Sequence, residues 1–288
     1  MKLVEIAISF INYPALKRWE AKGSIGNELL QKILNPENPL CRLLPEARLS
    51  GVYLGSEFCE FLLPTPEILK RGIKLAELTG AGFALATPLA SDGVIDQLKE
   101  LLPLLPGESE LIVNDWGVAS MARRQVPALK LVAGRLLCKM IKDPRLNSSV
   151  WTEMYPHGLS GDSFGRMLDM LGIARIELDV PPYATPQVFA DLQLPTAVHA
   201  PFGYVSKGRL CKIGSLSLPV TQKFSSGREC RRECLTYVAE TKRSGNVGDL
   251  ETHQRGNTLF YRHTQSMAEA VVAAFERGWL QRLVLPGD

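Results

Sequence analysis

Leu49-Ser-Gly-Val-Tyr-Leu54, the segment Thr65–Thr79, and Gly82-Phe-Ala-Leu-Ala-Thr87 follow one another within residues 49–87. The outer two are short apolar runs, too continuous for strands with one face in water. The middle one is amphipathic, with Pro66 near its start and Gly80 just past its end, which are the start and stop signals of a helix. Strand, helix, strand in that order is the unit of a parallel sheet. Working outward, similar runs recur at Leu3–Ser9, Leu111–Asn114, Leu131–Ala133, Arg175–Asp179, Ala197–Ala200 and Leu283–Leu285. Further amphipathic segments lie at Asp92–Leu102, Ser163–Leu171 and Met267–Arg277, the last stopped by Gly278. Eight such strands predict an α/β fold: a single (β/α) TIM-barrel-like domain over residues 1–288. A doubly wound open sheet is the alternative.

Bulk properties agree with a folded domain. The 288 residues are 45% hydrophobic and 22% charged, close to the globular average. A chain of this length buries roughly three quarters of its unfolded surface and needs no disulfide to hold it together. The net charge of +3 is too small to imply a nucleic-acid footprint. No run approaches the roughly 18 to 20 apolar residues of a membrane span. Met1-Lys2 opens an apolar stretch, but Glu5 interrupts it and no small-residue cleavage site follows. A cytoplasmic, reducing setting is therefore expected, in which six cysteines are free, metal-bound or catalytic rather than paired.

Two stretches do not fit the strand–helix repeat. Asp143–Asp162 carries Pro144, Asn147, Pro156 and Gly158 and reads as an irregular connection. Residues 203–248 read as a long loop insertion in the C-terminal third, rich in Ser, Gly, Lys and Arg, and they hold three of the six cysteines. Loops of that length inside a compact domain are functional or disordered. Cys230-Arg-Arg-Glu-Cys234 sets two thiols four residues apart, on one side if the segment is helical. Cys211 lies upstream in the same region, and Cys59 just beyond the strand that ends at Leu54. Barrels gather their functional loops at the C-terminal ends of the strands, so these four thiols are expected to converge there. Four thiolates suit an iron–sulfur cluster, and zinc is the rival metal. Arg228, Arg231, Arg232, Lys207 and Arg209 would offset a cluster's negative charge, or form a solvated basic face. Cys41 and Cys138 read as small buried apolar residues.

These residues resemble the collagenase-like peptidase U-32 family, most closely its ubiquinone-biosynthesis (UbiV) branch. Gly51-Val-Tyr-Leu-Gly-Ser-Glu-Phe-Cys59 looks like the family's V-Y-L-G turn with the cysteine that marks that branch. Val113-Asn-Asp-Trp-Gly-Val-Ala119 is similar to its (N/S)-D-x-G-(V/A) strand end, and Leu131-Val-Ala-Gly134 to the next strand. Cys211, Cys230 and Cys234 are similar to the later cysteine set, although the interval from Cys211 to Cys230 is longer than in that branch. The resemblance implies an oxygen-sensitive 4Fe-4S cluster held by Cys59, Cys211, Cys230 and Cys234. It implies a heterodimer with a UbiU-like paralogue, acting in oxygen-independent hydroxylation of aromatic ubiquinone precursors with prephenate as hydroxyl donor. Relatives that hydroxylate RNA carry extra C-terminal sequence that is absent here, which favours a small-molecule role.

Asn114 and Asp115 end a predicted strand and are the catalytic candidates, with a helix N-cap the alternative for Asp115. His199 reads as a core histidine before a catalytic one. Glu177 and Asp179 alternate along one strand toward the barrel interior, with Arg135 or Arg175 as partners. Gly158-Leu-Ser-Gly161 lacks the spacing of a phosphate loop. Peptidase activity is an alternative, yet no G-x-S-x-G elbow and no H-E-x-x-H helix is present. RNA hydroxylation and a non-catalytic partner subunit are the remaining alternatives.

Overall fold

The computed structural model describes residues 3–21, 27–142, 150, 157–182, 184–223, 229–241 and 250–287. Most of the Asp143–Asp162 connection, Arg228 and parts of 203–248 lie outside them. Twelve strands are seen: β1 Val4–Phe10, β2 Ala47–Gly55, β3 Gly82–Ala86, β4 Glu110–Val113, β5 Lys130–Ala133, β6 Ile173–Leu178, β7 Thr196–His199, β8 Phe202–Lys207, β9 Ala239–Thr241, β10 Thr252–Arg255, β11 Thr258–Arg262 and β12 Arg282–Pro286. β1–β7 and β12 pair in parallel around a closed barrel, in the order β1-β12-β7-β6-β5-β4-β3-β2. Each of the eight predicted runs is one of these strands. The open-sheet alternative is excluded, because β1 bonds both β2 and β12 and leaves no edge.

Around the barrel lie α1 Tyr13–Glu20, α2 Asn27–Leu34, α3 Pro66–Thr79, α4 Asp92–Leu101, α5 Trp116–Gln125, α6 Asp162–Leu171 and α7 Gln265–Glu276. Local chemistry sets their ends. The Thr65 hydroxyl accepts from the Ile68 N–H at the start of α3, and Gly80 closes that helix with φ of 64°. Leu69, Leu75 and Ala76 of α3 are buried, the apolar stripe that the sequence pattern supplies.

The barrel interior is built in layers by the two-residue period of strands. The middle layer holds Ala7, Tyr53, Ala84, Ala86, Ile112, Val132, Ala197 and Val284. Small residues from β1, β3 and β7 leave room for the Tyr53 ring. Two residues earlier on β1, β4 and β12 stand Glu5, Glu110 and Arg282, which pair with one another and with Arg175 of β6. Two residues on from Arg175, Glu177 bonds at 2.8 Å to His199, which stands two residues beyond Ala197 on β7.

Residues 203–248 are not simply a long loop. β8 and β9 join β10 and β11 in a four-stranded antiparallel sheet of order β8-β11-β10-β9. Gly256 and Asn257 make the two-residue turn between β10 and β11, with φ of 60° at Gly256. The alternating strands on either side of Gly-Asn are the hairpin signal that accounts for the sheet.

Candidate functional site

The C-terminal ends of the barrel strands carry a cavity of about 580 Å³, covered by the antiparallel sheet. Its floor is the top of the barrel: Tyr53, Ala86, Ile112, Glu177, His199 and Val284. Glu57, Phe58 and Arg135 form one wall, and Thr252, His253, Phe260 and Arg262 come from the sheet above. Phe58 packs against Tyr204 and Phe260 with ring centroids 5.0 and 5.5 Å apart, which closes one side with aromatic surface.

A buried ion network supports this floor. The Arg135 guanidinium donates to Glu57 Oε2 at 2.5 and 3.0 Å and to Asp179 Oδ1 at 2.9 Å. Lys142 Nζ reaches Asp179 Oδ2 at 2.5 Å and lies 3.2 Å from the Tyr204 ring centre. Burial raises the Asp179 carboxyl, but Lys142 and Arg135 outweigh it and hold the group at about 2. The same burial lowers Lys142, with Asp179 opposing it. Arg135 therefore partners Asp179 as expected from the sequence, whereas Arg175 serves the opposite end of the barrel. Glu57, two residues before Cys59, is the member that strand periodicity could not reveal, because it lies on a loop.

Glu177 is fully buried and Nε2 of His199 meets its Oε2, while its Oε1 has no hydrogen-bond partner among the described residues. Near it, His263 is buried with neither ring nitrogen bonded, and burial lowers its pKa to about 3. Ligand atoms of Glu57, Glu177 and His199 lie within 4.8 Å of one another.

The catalytic candidates from the sequence do other things here. Asn114 is fully buried; its amide donates to Thr87 O at 2.9 Å and its Oδ1 accepts from Leu136 N at 3.0 Å. Asp115 Oδ1 accepts from Gly117 N and Val118 N, so it is the N-cap of α5. Both strand-end polar groups are committed to joining neighbouring segments of backbone.

The loops that carry Cys59 and Cys234 adjoin the cavity through its lining residues Phe58 and Arg255, the latter donating to Cys234 O at 3.3 Å. Gly55 ends β2 with φ of 107°, where a Cβ would meet Ala86 O at 2.4 Å, so the chain turns there only with glycine. The Ser56 hydroxyl then accepts from the N–H groups of Phe58 and Cys59, both at 3.2 Å, and fixes the Cys59 loop. Asn257, in the hairpin turn, donates to Phe58 O at 2.8 Å and to Gly208 O at 3.0 Å, so it clamps the sheet onto this loop. Gly256 lies against Cys234, where a Cβ would come within 3.5 Å of the sulfur.

No disulfide joins any of the six cysteines among the described residues. Cys234 feels the charge of Cys211, Cys59 and Cys230, and Cys59 that of Cys230 and Cys211. Burial is the largest cause of their raised pKa values, about 11 for Cys59 and about 12 for Cys234, and the neighbouring thiols add to it. Main-chain N–H groups are aimed at three of the sulfurs: Phe61 at Cys59, Gly214 at Cys211 at 3.3 Å, and Arg232 at Cys230 at 3.4 Å. The Cys230–Cys234 segment is not one helix; Arg232 is left-handed with φ of 57°, and only Glu233–Leu235 forms a 3₁₀ turn. Cys138 is buried in the core, whereas Cys41 is half-buried with its sulfur 3.3 Å from Asn35 O. Among the described residues no three cysteines bring their sulfurs within 4.8 Å of one another.

No protein-family profile matches the chain, and no curated protein does. Among solved structures, a class V chitinase from Nicotiana tobaccum is similar at 13% identity and a TM-score of 0.30, over 99% of this chain and 88% of that one. A family GH18 chitinase from Cycas revoluta, in complex with allosamidin, is similar at 12% identity and a TM-score of 0.31, over 98% and 87%. Likeness that faint carries no functional weight, and the barrel assignment stands on the strand order itself. Among the described residues no helix is long and apolar enough to cross a membrane.

Proposed function

We propose that this chain is an iron–sulfur protein of the UbiV type, acting with a UbiU-like paralogue in oxygen-independent hydroxylation of aromatic ubiquinone precursors. What supports the reading is that the thiols of Cys211, Cys59 and Cys230, on three separate stretches of chain, act electrostatically on Cys234, whose carbonyl accepts from the cavity-lining Arg255. The donor set suits a cluster. Main-chain N–H groups directed at sulfur stabilise thiolates and are one of the levers that tune a cluster.

Cys59, Cys211, Cys230 and Cys234 would hold the cluster, which supplies an electron-transfer centre when bound. The protein's own residues shape the neighbouring cavity, exclude water with Phe58, Tyr204 and Phe260, and set charge on its floor with Glu177 and His199. The cavity volume lies in the range of small-molecule sites, as aromatic substrate or prephenate binding requires. A strain lacking this chain should lose anaerobic quinone synthesis and keep the aerobic route, with complementation dependent on Cys59, Cys230 and Cys234. Unchanged anaerobic quinone would defeat the reading, and altered RNA hydroxylation in that strain would favour the RNA-modifying relatives.

A further inference from the structure

Charge on the cavity floor does not balance without a proton. Glu57, Asp179 and Glu177 face Arg135 and Lys142, three carboxylates against two cations. Arg135 and Lys142 are engaged by Glu57 and Asp179, so among the described residues Glu177 has only His199 as a hydrogen-bond partner for its carboxylate. Its second oxygen, Oε1, is buried and unpartnered, a costly state for a carboxylate unless something answers it. His199 is itself 7% exposed and lines the cavity; with Nε2 committed to Glu177, Nδ1 is the nitrogen left for a ligand.

From this geometry we infer that Glu177 and His199 form a proton-accepting dyad for a hydroxyaromatic ligand bound in the cavity. The ligand class follows from the walls. Phe58, Phe202, Phe260 and Tyr53, with Ile11, Ile112 and Leu285, offer a ring-sized apolar enclosure, and the dyad is a polar spot on its floor. In the step, the O–H bond of the ligand breaks and an N–H bond forms at His199 Nδ1. The electron pair stays on the phenolate oxygen, and Glu177 holds the resulting imidazolium. A divalent ion at Glu57, Glu177 and His199 is the competing occupant. It is disfavoured because the Arg135 side chain and backbone N–H already occupy both Glu57 oxygens. The groups around the dyad are Tyr53 on β2, Glu57 from the β2 loop, Arg135, Cys138 and Lys142 after β5, Asp179 after β6, and His263 after β11.

The inference deepens the proposed function by naming the ligand class, and its test is read without reference to iron. The probe is 4-nitrophenol, whose phenolate has a visible band, added to the full-length chain at a pH where the free phenol is mostly protonated. The wild-type chain should bind it and develop the phenolate band. In Glu177→Gln and His199→Gln the band per bound molecule should fall by about tenfold or more, with the circular dichroism spectrum unchanged. Should either variant fail to fold, the wild-type chain decides alone. 4-Nitroanisole, which has the ring but no O–H, should bind several-fold more weakly than the phenol. Equal affinity for the two probes, or an undiminished band in both variants, would overturn the dyad. Tight Mn²⁺ or Zn²⁺ binding abolished by Glu177→Gln would overturn it in favour of a metal site. Iron assayed in the same samples keeps a failure here separate from a failure of the cluster.

Discussion

The two ends of the barrel are both plugged by buried charge, but the books balance at only one of them. At the N-terminal end Glu5 and Glu110 face Arg175 and Arg282. Arg282 donates to Glu5 at 2.8 Å, to Glu110 at 2.5 Å and to the Tyr53 hydroxyl at 2.9 Å. Two carboxylates meet two guanidinium groups there. At the C-terminal end three carboxylates meet two cations and a histidine. The buried polar atoms without partners among the described residues, Glu177 Oε1 and both nitrogens of His263, belong to that end. The cavity and the four thiols lie there as well. A matched network seals a barrel, whereas a mismatched one is a place left for a ligand, in keeping with barrels that keep their chemistry at the C-terminal face.

The strongest way to break the comparison is to remove one arginine from each end. Arg135→Leu strips the partner from Glu57 and Asp179, which are 7% and 1% exposed, and should destabilise the chain by about 3 to 5 kcal/mol. Arg282→Leu leaves Glu5 and Glu110, 23% and 17% exposed, with water and Arg175 nearby, and should cost about 1 to 3 kcal/mol. Chemical denaturation of both variants measures the difference. Equal losses would mean that the two networks do the same structural work.

Acid should act on the C-terminal end in two stages. His263 is lowered from 6.5 to about 3 by burial, so the unfolded chain binds that proton first. Its contribution is present above pH 6.5 and is lost as the pH falls toward 3. Asp179 is lowered from 3.8 to about 2, despite burial, by Lys142 and Arg135, so its contribution is present above pH 3.8 and is lost on approach to pH 2. At roughly 1.4 kcal/mol per pH unit, the Asp179 part is about 2 kcal/mol. Stability measured against pH should fall less steeply between 6.5 and 4 in His263→Gln, the remaining slope coming from His253, which burial lowers from 6.5 to about 4, while the fall below 4 persists.

The smallest effect sharpens the assignment of roles. Asp115→Ala removes the cap of α5 and should cost about 1 kcal/mol while leaving 4-nitrophenol binding unchanged. A thermal melt and a titration of one variant check both halves of that statement.

Much of this was legible in the sequence because the barrel obeys a strong local rule. Val52-Tyr53-Leu54 and its counterparts are buried on both faces and read as continuous apolar runs. Glu177 on β6 and Asp179 just past its end were legible as inward-facing from the same two-residue period. The antiparallel sheet was not, because β8–β11 carry Lys, Arg and Ser on their open faces and β9 has only three residues. Glu57 and Lys142 lie outside the strands, where no period tells the side chain's direction. Asp115 is the helix N-cap that its position before α5 offered, whereas Asn114 is claimed by the backbone of Thr87 and Leu136, a long-range fact that no spacing encodes.

The most direct test of the central claim is the metal and acid-labile sulfide content of the chain purified without oxygen. The iron–sulfur reading predicts about four irons and four sulfides per chain with a visible charge-transfer band. Both should be lost in Cys59→Ala, Cys211→Ala, Cys230→Ala and Cys234→Ala, and retained in Cys41→Ala and Cys138→Ala. Stoichiometric zinc without sulfide, or iron loss equal at all six positions, would contradict it.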